Sequence, residues 1–264
     1  MFGDFMNYEN LVNYYNKFNE DKRLNSRHGI VEFTTSIKYI EKYLNKMNNP
    51  KIIDIGAGTG KYSVYLHNKG YDVTAVELVK HNLKEIEKKN KDIKTYLLNA
   101  TDLKKINDNT YDLVILFGPL YHLITKEEKI RAINEAKRVL KKNGIIMIQY
   151  CMADYAIIKH GFMENFILEE IKENRITSDF KLNFKDDDLY SYSTLDEINE
   201  LNSICNLERI EIFTPDGPTD YIRNYINTMN DEVFNKYLDY IYSISNKKEL
   251  LGASSHLVDI IKKA

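Results

Sequence analysis

The sequence predicts an α/β fold of the doubly wound type, with a mostly parallel sheet between layers of helices. Short runs rich in Ile and Val alternate with segments of helical periodicity between residues 34 and 150. The run 112–117 is apolar and bounded by turn residues, as in strands buried on both faces. Strands that alternate with helices of this length require parallel crossover connections.

Turn or capping residues bound several elements of this pattern. Residues 34–47 place apolar side chains at helical spacing and lead into the turn 48–50. A strand over 52–55 and a glycine loop follow, and Gly70 closes the next predicted helix, 60–69. The remaining elements of this half are, in order, strand 73–77, helix 81–91, strand 94–98, strand 112–117, helix 126–142 and strand 145–150.

The pattern changes after residue 151. Residues 152–200 mix helix with polar loop. Residues 207–213 alternate apolar and charged side chains, which is typical of a strand nearer the edge of a sheet. Two helices over 218–248 and a final strand over 255–261 complete the predicted chain.

The glycine loop is the most informative motif, and it reads Asp54-Ile55-Gly56-Ala57-Gly58-Thr59-Gly60-Lys61-Tyr62. A dinucleotide-binding fingerprint requires glycine where Lys61 stands. A phosphate-binding P-loop requires glycine where Ile55 stands and Ser or Thr where Tyr62 stands. The remaining pattern is D-x-G-x-G-x-G, in which glycines let the backbone approach a bulky ligand without a Cβ in the way.

This motif resembles the first motif of class I S-adenosylmethionine-dependent methyltransferases. The resemblance implies S-adenosylmethionine as cofactor, S-adenosylhomocysteine as product, and a seven-strand sheet whose last strand is antiparallel. It also implies helical additions that form a substrate cap. We therefore expect an N-terminal helical lid (1–49), a Rossmann-like cofactor-binding core (50–151), a helical substrate cap (152–205), and strands and helices that complete the sheet and cap (206–264).

Candidate cofactor-binding residues follow the ends of the first strands. Glu77 lies about 20 residues past the loop, where a carboxylate can accept hydrogen bonds from both ribose hydroxyls, and Leu78 can pack on the adenine. The segment 99–102 resembles the family's adenine-binding motif with Asn in place of Asp, so either Asn99 or Asp102 is the acceptor for the adenine amino group. Asp54 is expected to order the loop. The predicted cofactor-binding residues are Asp54, Gly56, Ala57, Gly58, Gly60, Glu77, Leu78, Asn99, Ala100, Thr101, Asp102, Phe117 and Arg27.

The segment 117–123, FGPLYHL, follows the fourth strand, where active sites of the family lie. It lacks the [DN]-P-P-[YF] motif of enzymes that methylate exocyclic amines of bases or glutamine, which disfavours that substrate class. His122 is a candidate general base because imidazole titrates near neutral pH, and a structural role in a turn is the alternative. Tyr121 is a candidate substrate contact or a packing residue.

Two arginines, Arg23 and Arg27, precede a predicted helix in the run RLNSRHGIVEF. Together with GPLYHL and LLGASSHL, this run resembles a subgroup of small bacterial methyltransferases. We expect Arg27 to reach the cofactor carboxylate or an acidic substrate group as part of the lid. An ion pair with Glu32 is the alternative.

Composition and charge narrow the classes of partner. The net charge of -2 makes nucleic acid an unexpected partner. Cys151 and Cys205 provide no disulfide framework, and the histidines and acids show no metal-ligand spacing, so no metal is expected. No apolar run reaches the roughly 18 residues of a membrane span, and the N-terminus does not resemble a signal peptide. We therefore expect a cytoplasmic protein.

The leading functional prediction is methyl transfer to an oxygen, nitrogen or carbon of a small-molecule acceptor. Methylation of tRNA or a protein is the first alternative, but acidic residues dilute the lysines of segment 84–91. A non-catalytic module that binds the cofactor is the second. A nicotinamide dehydrogenase is disfavoured by Lys61.

Overall fold

The structure is a computed structural model that describes residues 6–17 and 25–264. Seven strands form one sheet. They are β1 (Lys51–Ile55), β2 (Asp72–Glu77), β3 (Lys94–Leu97), β4 (Tyr111–Leu116), β5 (Leu140–Cys151), β6 (Leu207–Phe213) and β7 (His256–Lys263).

The strand order is β3-β2-β1-β4-β5-β7-β6. Strands β1 to β5 pair in parallel, and β7 lies antiparallel between β5 and β6. The predicted seven-strand sheet with an antiparallel last strand is therefore confirmed, and so is the position of β6 at an edge. The strand order reverses at β1 and β4, so a crevice opens beyond their carboxyl ends.

Ten α-helices surround the sheet in the described residues. They are α1 (Met6–Lys17), α2 (Arg27–Leu44), α3 (Lys61–Asn68), α4 (Lys80–Lys89), α5 (Lys126–Val139), α6 (Ala153–Ala156), α7 (Ile167–Lys172), α8 (Leu195–Ile204), α9 (Arg223–Thr228) and α10 (Asp231–Ile244). Short 3₁₀ helices span Pro119–His122 and Lys248–Leu250, and a π-helix spans Ile157–Met163. None of the helices in these two ranges has both the length and the apolar character to cross a membrane.

Several predicted helix boundaries differ from the structure, and capping or strand pairing explains two of them. Helix α2 begins at Arg27 rather than near residue 34, because the Ser26 side chain caps it by accepting a hydrogen bond from the Gly29 backbone N–H at 3.2 Å. Helix α5 ends at Val139 rather than at residue 142. Leu140 instead begins β5, where it pairs with Tyr111 of β4.

Both faces of the sheet are covered by apolar packing. Ile133 of α5 and Leu201 of α8 belong to the buried cluster on one face, and Ile40 of α2 and Leu66 of α3 to the cluster on the other. Successive residues of a strand point to opposite faces, which explains why near-continuous apolar runs were the signal for these strands. The packing leaves the carboxyl ends of the strands to the loops that carry the predicted motifs.

The loops after β1 and β4 touch closely at Gly56. This glycine has a φ of +75°, and a Cβ placed there would lie 2.5 Å from Cδ of Pro119. A side chain at Gly56 would therefore push the two loops apart. Gly70 has a similar φ of +93° but no atom within 4 Å of the equivalent Cβ position.

We expect Gly56→Ala to destabilise the fold more than Gly70→Ala. Both alanines would occupy the left-handed region, which costs about 1–2 kcal/mol of stability in each variant. Only Gly56→Ala adds a steric collision, which costs about 1–3 kcal/mol more. The free energy of unfolding, measured by denaturant titration of both variants, tests this. Equal destabilisation would show that the contact with Pro119 relaxes freely.

Candidate cofactor and acceptor site

A cavity lies beyond the carboxyl ends of β1, β2 and β4, and most of the predicted site residues line it. Those that do are Asp54, Gly56, Ala57, Gly58, Glu77, Leu78, Asn99, Ala100, Phe117, Tyr121 and His122. The other four, Gly60, Thr101, Asp102 and Arg27, lie outside its lining. The topology thus brings four separate sequence segments to one place.

The glycine loop folds back over the end of β2. The backbone N–H groups of Gly56 and Ala57 donate to the carbonyl of Val76 at 2.8 and 3.0 Å. Gly58, at φ +55°, donates its N–H to Oε2 of Glu77 at 2.8 Å. Gly60 faces away, because a Cβ there would meet Cγ1 of Ile86 at 2.8 Å. Its role is therefore to let α3 approach α4.

Glu77 is buried and held in place by the backbone. Its Oε1 accepts the Val79 N–H at 2.8 Å, and its Oε2 accepts from Gly58. Burial raises the pKa of Glu77 to about 7, against the lowering effect of these backbone hydrogen bonds and of Asn82. The Leu78 N–H and the Asn82 side chain also hydrogen-bond to this carboxylate, which has about four lone-pair sites in all, so a ligand hydroxyl that donates to Glu77 shares or replaces one of these contacts.

Asp54 fastens the end of β1 to the first turn of α3. Its Oδ2 accepts the hydroxyl of Ser63 at 2.6 Å. Burial raises the pKa of Asp54 to about 6, and the hydrogen bonds from Ser63 partly oppose this. The carboxylate therefore orders the chain on both sides of the glycine loop and also lines the cavity.

Asn99 and Asp102 are separated by the fold. Asn99 lines the cavity, and its Oδ1 accepts the backbone N–H of Thr101 at 3.0 Å. Asp102 is exposed and pairs with Lys104 at 3.1 Å. Of the two candidates for the adenine contact, Asn99 is the one that borders the cavity.

Arg27 lies against α10 and does not pair with Glu32. Its Nη2 donates to Oδ1 of Asp231 at 2.9 Å, and its guanidinium lies 4.5 Å from the ring centroid of Phe234. Glu32 is buried and accepts the side-chain N–H of Gln149 at 3.1 Å. Arg23, the other arginine of the predicted lid run, and Leu24 lie outside the described residues.

Both ring nitrogens of His122 have hydrogen-bond partners. Nδ1 lies 2.8 Å from the carbonyl oxygen of Leu189, and Nε2 lies 2.8 Å from the hydroxyl of Tyr15. His122 is 9% exposed, and burial lowers its pKa to about 4, opposed by the hydrogen bond to Leu189. The imidazole is therefore neutral at pH 7. Tyr121 donates its hydroxyl to the carbonyl of Phe117 at 3.1 Å.

Comparison with known proteins identifies the class of this chain. A family model described as a methyltransferase domain matches residues 53–148. The chain is 27% identical over 205 residues to a ubiquinone biosynthesis O-methyltransferase of Rickettsia typhi, a match that covers 75% of this chain and 81% of that protein. The chain is an S-adenosylmethionine-dependent methyltransferase.

The chain is also similar to another named methyltransferase and to a solved methyltransferase structure. A mouse protein named "Probable tRNA methyltransferase 9B" is 35% identical over 100 residues, which are 37% of this chain and 21% of that protein. The solved structure of an S-adenosylmethionine-dependent methyltransferase from Leishmania major has a TM-score of 0.60 at 14% identity, covering 97% of this chain and 82% of that chain. The structural likeness supports the shared fold.

The shape, hydrogen-bonding groups and apolar residues of the cavity fit the cofactor of a methyltransferase. Two glycines at positive φ leave the loop surface without side chains, which suits a bulky nucleoside. The carboxylate of Glu77 suits a ribose diol, and the apolar Leu78, Leu98 and Ala100 suit an adenine ring. Within residues 6–17 and 25–264, no three His, Cys, Asp or Glu side chains are grouped as a metal ion requires.

Several residues that line the cavity carry no signal in the motifs. Leu11 and Tyr15 come from α1, and Asn82 comes from α4. The apolar and glycine patterns do not report them, because tertiary packing alone brings these helices to the cavity. Pro119 belongs to the FGPLYHL segment that the sequence analysis singled out, and the structure adds its close contact with Gly56.

A buried ion pair lies near the Glu32 side of the cavity. Nδ1 of His256, at the start of β7, lies 2.6 Å from Oδ2 of Asp216, which follows β6. Burial lowers the pKa of His256, but Glu32 and Asp216 raise it, and the net result is well above the ordinary value. The charged pair therefore joins the segment that follows β6 to the start of β7.

We expect the affinity for S-adenosylhomocysteine to fall as the pH is lowered from 8 to 6.5. Ribose hydroxyls donate to the carboxylate, so binding favours deprotonated Glu77, and below a pKa of about 7 affinity falls by up to about tenfold per pH unit. Glu77→Gln should bind about 10- to 100-fold more weakly at pH 8 and lose this dependence. Calorimetric titration measures both effects.

Glu87→Gln is the matched control for this experiment, because it removes the same charge from an exposed position outside the cavity. It should retain the wild-type affinity and pH profile. Since glutamine at position 77 would also lose one backbone N–H contact, thermal unfolding should verify that the variant folds. Unchanged affinity in a folded Glu77→Gln would exclude the ribose role.

Proposed function

We propose that this methyltransferase methylates a small-molecule acceptor held between α1 and the 3₁₀ helix at 119–122. The observation that carries the proposal is that Leu11 and Tyr15 of α1 form part of the cavity wall. The acceptor space is thus bounded by the chain itself, which favours a compact acceptor over a large nucleic acid. The net charge of -2 supports the same choice.

The proposed cofactor contacts follow from the hydrogen-bonding and apolar groups that line the cavity. Glu77 accepts both ribose hydroxyls, Leu78 and Ala100 border the adenine, and Asn99 meets its amino group. The glycine loop and the first N–H groups of α3 face the methionine part, because a helix N-terminus favours a carboxylate. When bound, S-adenosylmethionine supplies an electrophilic methyl group on a sulfonium with a good leaving group.

The acceptor side is formed by Phe117, Tyr121 and His122. The hydroxyl of Tyr121 is used by the Phe117 carbonyl, so this tyrosine offers its ring face to an acceptor. We further propose that α1 acts as a lid and that the segment 152–205 acts as a cap. The hydrogen bond from His122 to Leu189 and the one from the Ser191 N–H to the Tyr121 carbonyl at 2.7 Å support the cap.

The relatives support a small acceptor more than a tRNA. The similarity to the ubiquinone biosynthesis O-methyltransferase extends over 205 residues, well beyond the matched methyltransferase domain. The similarity to the mouse tRNA methyltransferase extends over 100 residues only. A match of that length fits a shared cofactor core and carries little information about the acceptor.

Partition of a labelled methyl group tests this proposal. The full-length protein is incubated with methyl-labelled S-adenosylmethionine and, separately, with ultrafiltered bacterial metabolites, bulk tRNA and the protein fraction. We expect label in the metabolite fraction, and much less of it with Glu77→Ala at subsaturating S-adenosylmethionine, because this variant lacks the proposed ribose acceptor. Label confined to tRNA or protein would overturn the small-molecule proposal, and binding without transfer to any fraction would indicate a non-catalytic module.

A further inference from the structure

We propose that Tyr15 and His122 form a proton relay that serves an acceptor methylated at a hydroxyl oxygen. The proposal rests on the proposed function, since it assigns chemistry to the acceptor side of the same cavity. It adds a residue, Tyr15, that no sequence motif indicates, and it favours a hydroxyl oxygen over an alkylamine nitrogen as the acceptor atom.

The hydrogen bonds of His122 fix its tautomer. A carbonyl oxygen can only accept, so Nδ1 carries the proton and donates it to Leu189 at 2.8 Å. In the neutral imidazole Nε2 is then an acceptor. The hydroxyl of Tyr15, 2.8 Å away, must therefore be the donor to Nε2.

Tyr15 is in position to connect the acceptor with His122. It lines the cavity from α1 while its hydroxyl points to Nε2. A phenolic oxygen has two lone pairs besides the proton that it donates. It can therefore receive a hydrogen bond from an acceptor hydroxyl at the same time.

Tyrosines surround the imidazole. The rings of Tyr15, Tyr121 and Tyr190 lie 5.4, 4.7 and 4.9 Å from it between centroids. These three are the titratable side chains with a ring contact to His122 in the described part of the chain. Burial among them lowers the pKa of His122 to about 4, so Nε2 is unprotonated across the neutral range.

The transfer step balances along this chain of hydrogen bonds. The acceptor oxygen bonds to the methyl carbon while the carbon–sulfur bond breaks and both its electrons remain on sulfur. The hydroxyl proton passes to the oxygen of Tyr15, and the Tyr15 proton passes to Nε2 of His122. The result is a methyl ether, S-adenosylhomocysteine and an imidazolium, which then returns its proton to solvent.

The weak basicity of His122 favours a hydroxyl over an alkylamine as the acceptor. An oxygen that gains a methyl group while it still holds its proton becomes a strong acid, so even a weak base removes that proton. An alkylamine is instead protonated at neutral pH, as lysine is with a pKa of about 10.4, and must lose a proton before its nitrogen can attack. A base with the basicity of His122 cannot perform that deprotonation effectively, so the relay suits hydroxyl acceptors.

The tautomer is tested without any acceptor. Nitrogen-15 NMR of the histidine rings in the full-length protein should show His122 protonated at Nδ1 at pH 7. Tyr15→Phe removes only the hydroxyl and should shift the Nε2 resonance. Tyr14→Phe is the matched control, because the Tyr14 hydroxyl bonds Tyr190 rather than His122. A proton on Nε2 in the wild type would overturn the relay.

The reaction is tested with methyl-labelled S-adenosylmethionine and the ultrafiltered metabolite fraction. We expect an O-methyl product, a solvent deuterium isotope effect on turnover, and a loss of about 100-fold or more in kcat for Tyr15→Phe. The affinity of that variant for S-adenosylhomocysteine should be unchanged, and Tyr14→Phe should retain turnover and the isotope effect.

The other outcomes separate the relay from the proposed function. An N-methyl or C-methyl product would overturn the relay and leave small-molecule methylation intact. Full turnover in Tyr15→Phe would do the same. Absence of label from every metabolite fraction would overturn the proposed function itself, together with the relay that rests on it.

Discussion

The close contact between the loops after β1 and β4 is the constraint on which the site depends. These strands are neighbours because the strand order reverses between them, and their loops meet where Gly56 touches Pro119. One loop belongs to the cofactor side and the other leads to Tyr121 and His122. The missing Cβ at Gly56 allows this close approach, so in the proposed arrangement the distance between cofactor and acceptor depends on the glycine backbone.

Buried carboxylates are the second organising feature. Burial raises the pKa of Glu77 to about 7 and that of Asp54 to about 6. In the unfolded chain the pKa values of both carboxyl groups are lower. The stability that these groups contribute is therefore lost as the pH rises from the unfolded-state pKa values through those of the folded state. In the folded protein, backbone and Ser63 donors hold both groups in place. A ligand that donates hydrogen bonds to Glu77 offsets part of the desolvation that binding otherwise imposes.

The sequence predicted the parts of the fold that depend on local pattern. The parallel pairing of β1 to β5 follows from the alternation of strands and helices, and the place of Glu77 follows from its distance past the glycine loop. The start of α2 was hidden because its first turns bury His28 and Glu32 beside Val31, which interrupts the apolar periodicity. Tyr15 lies 107 positions from His122 along the chain, and nothing in either segment encodes that pairing. Arg27 was predicted to reach the cofactor carboxylate or an acidic substrate group. It instead donates a hydrogen bond to Asp231, a tertiary partner that no local pattern indicates.

The structural and catalytic interpretations of His122 turn out to be compatible. The hydrogen bond to the Leu189 carbonyl is a structural contact, yet the same bond leaves Nε2 as the acceptor. The neighbouring chain continues this attachment, since the N–H groups of Ser191 and Ser193 donate to the carbonyls of Tyr121 and Cys151 at 2.7 and 2.8 Å. The segment 189–193 therefore controls the orientation of the imidazole without lining the cavity. In the proposed mechanism, changes in the added segments can therefore alter acceptor chemistry while the cofactor half stays the same.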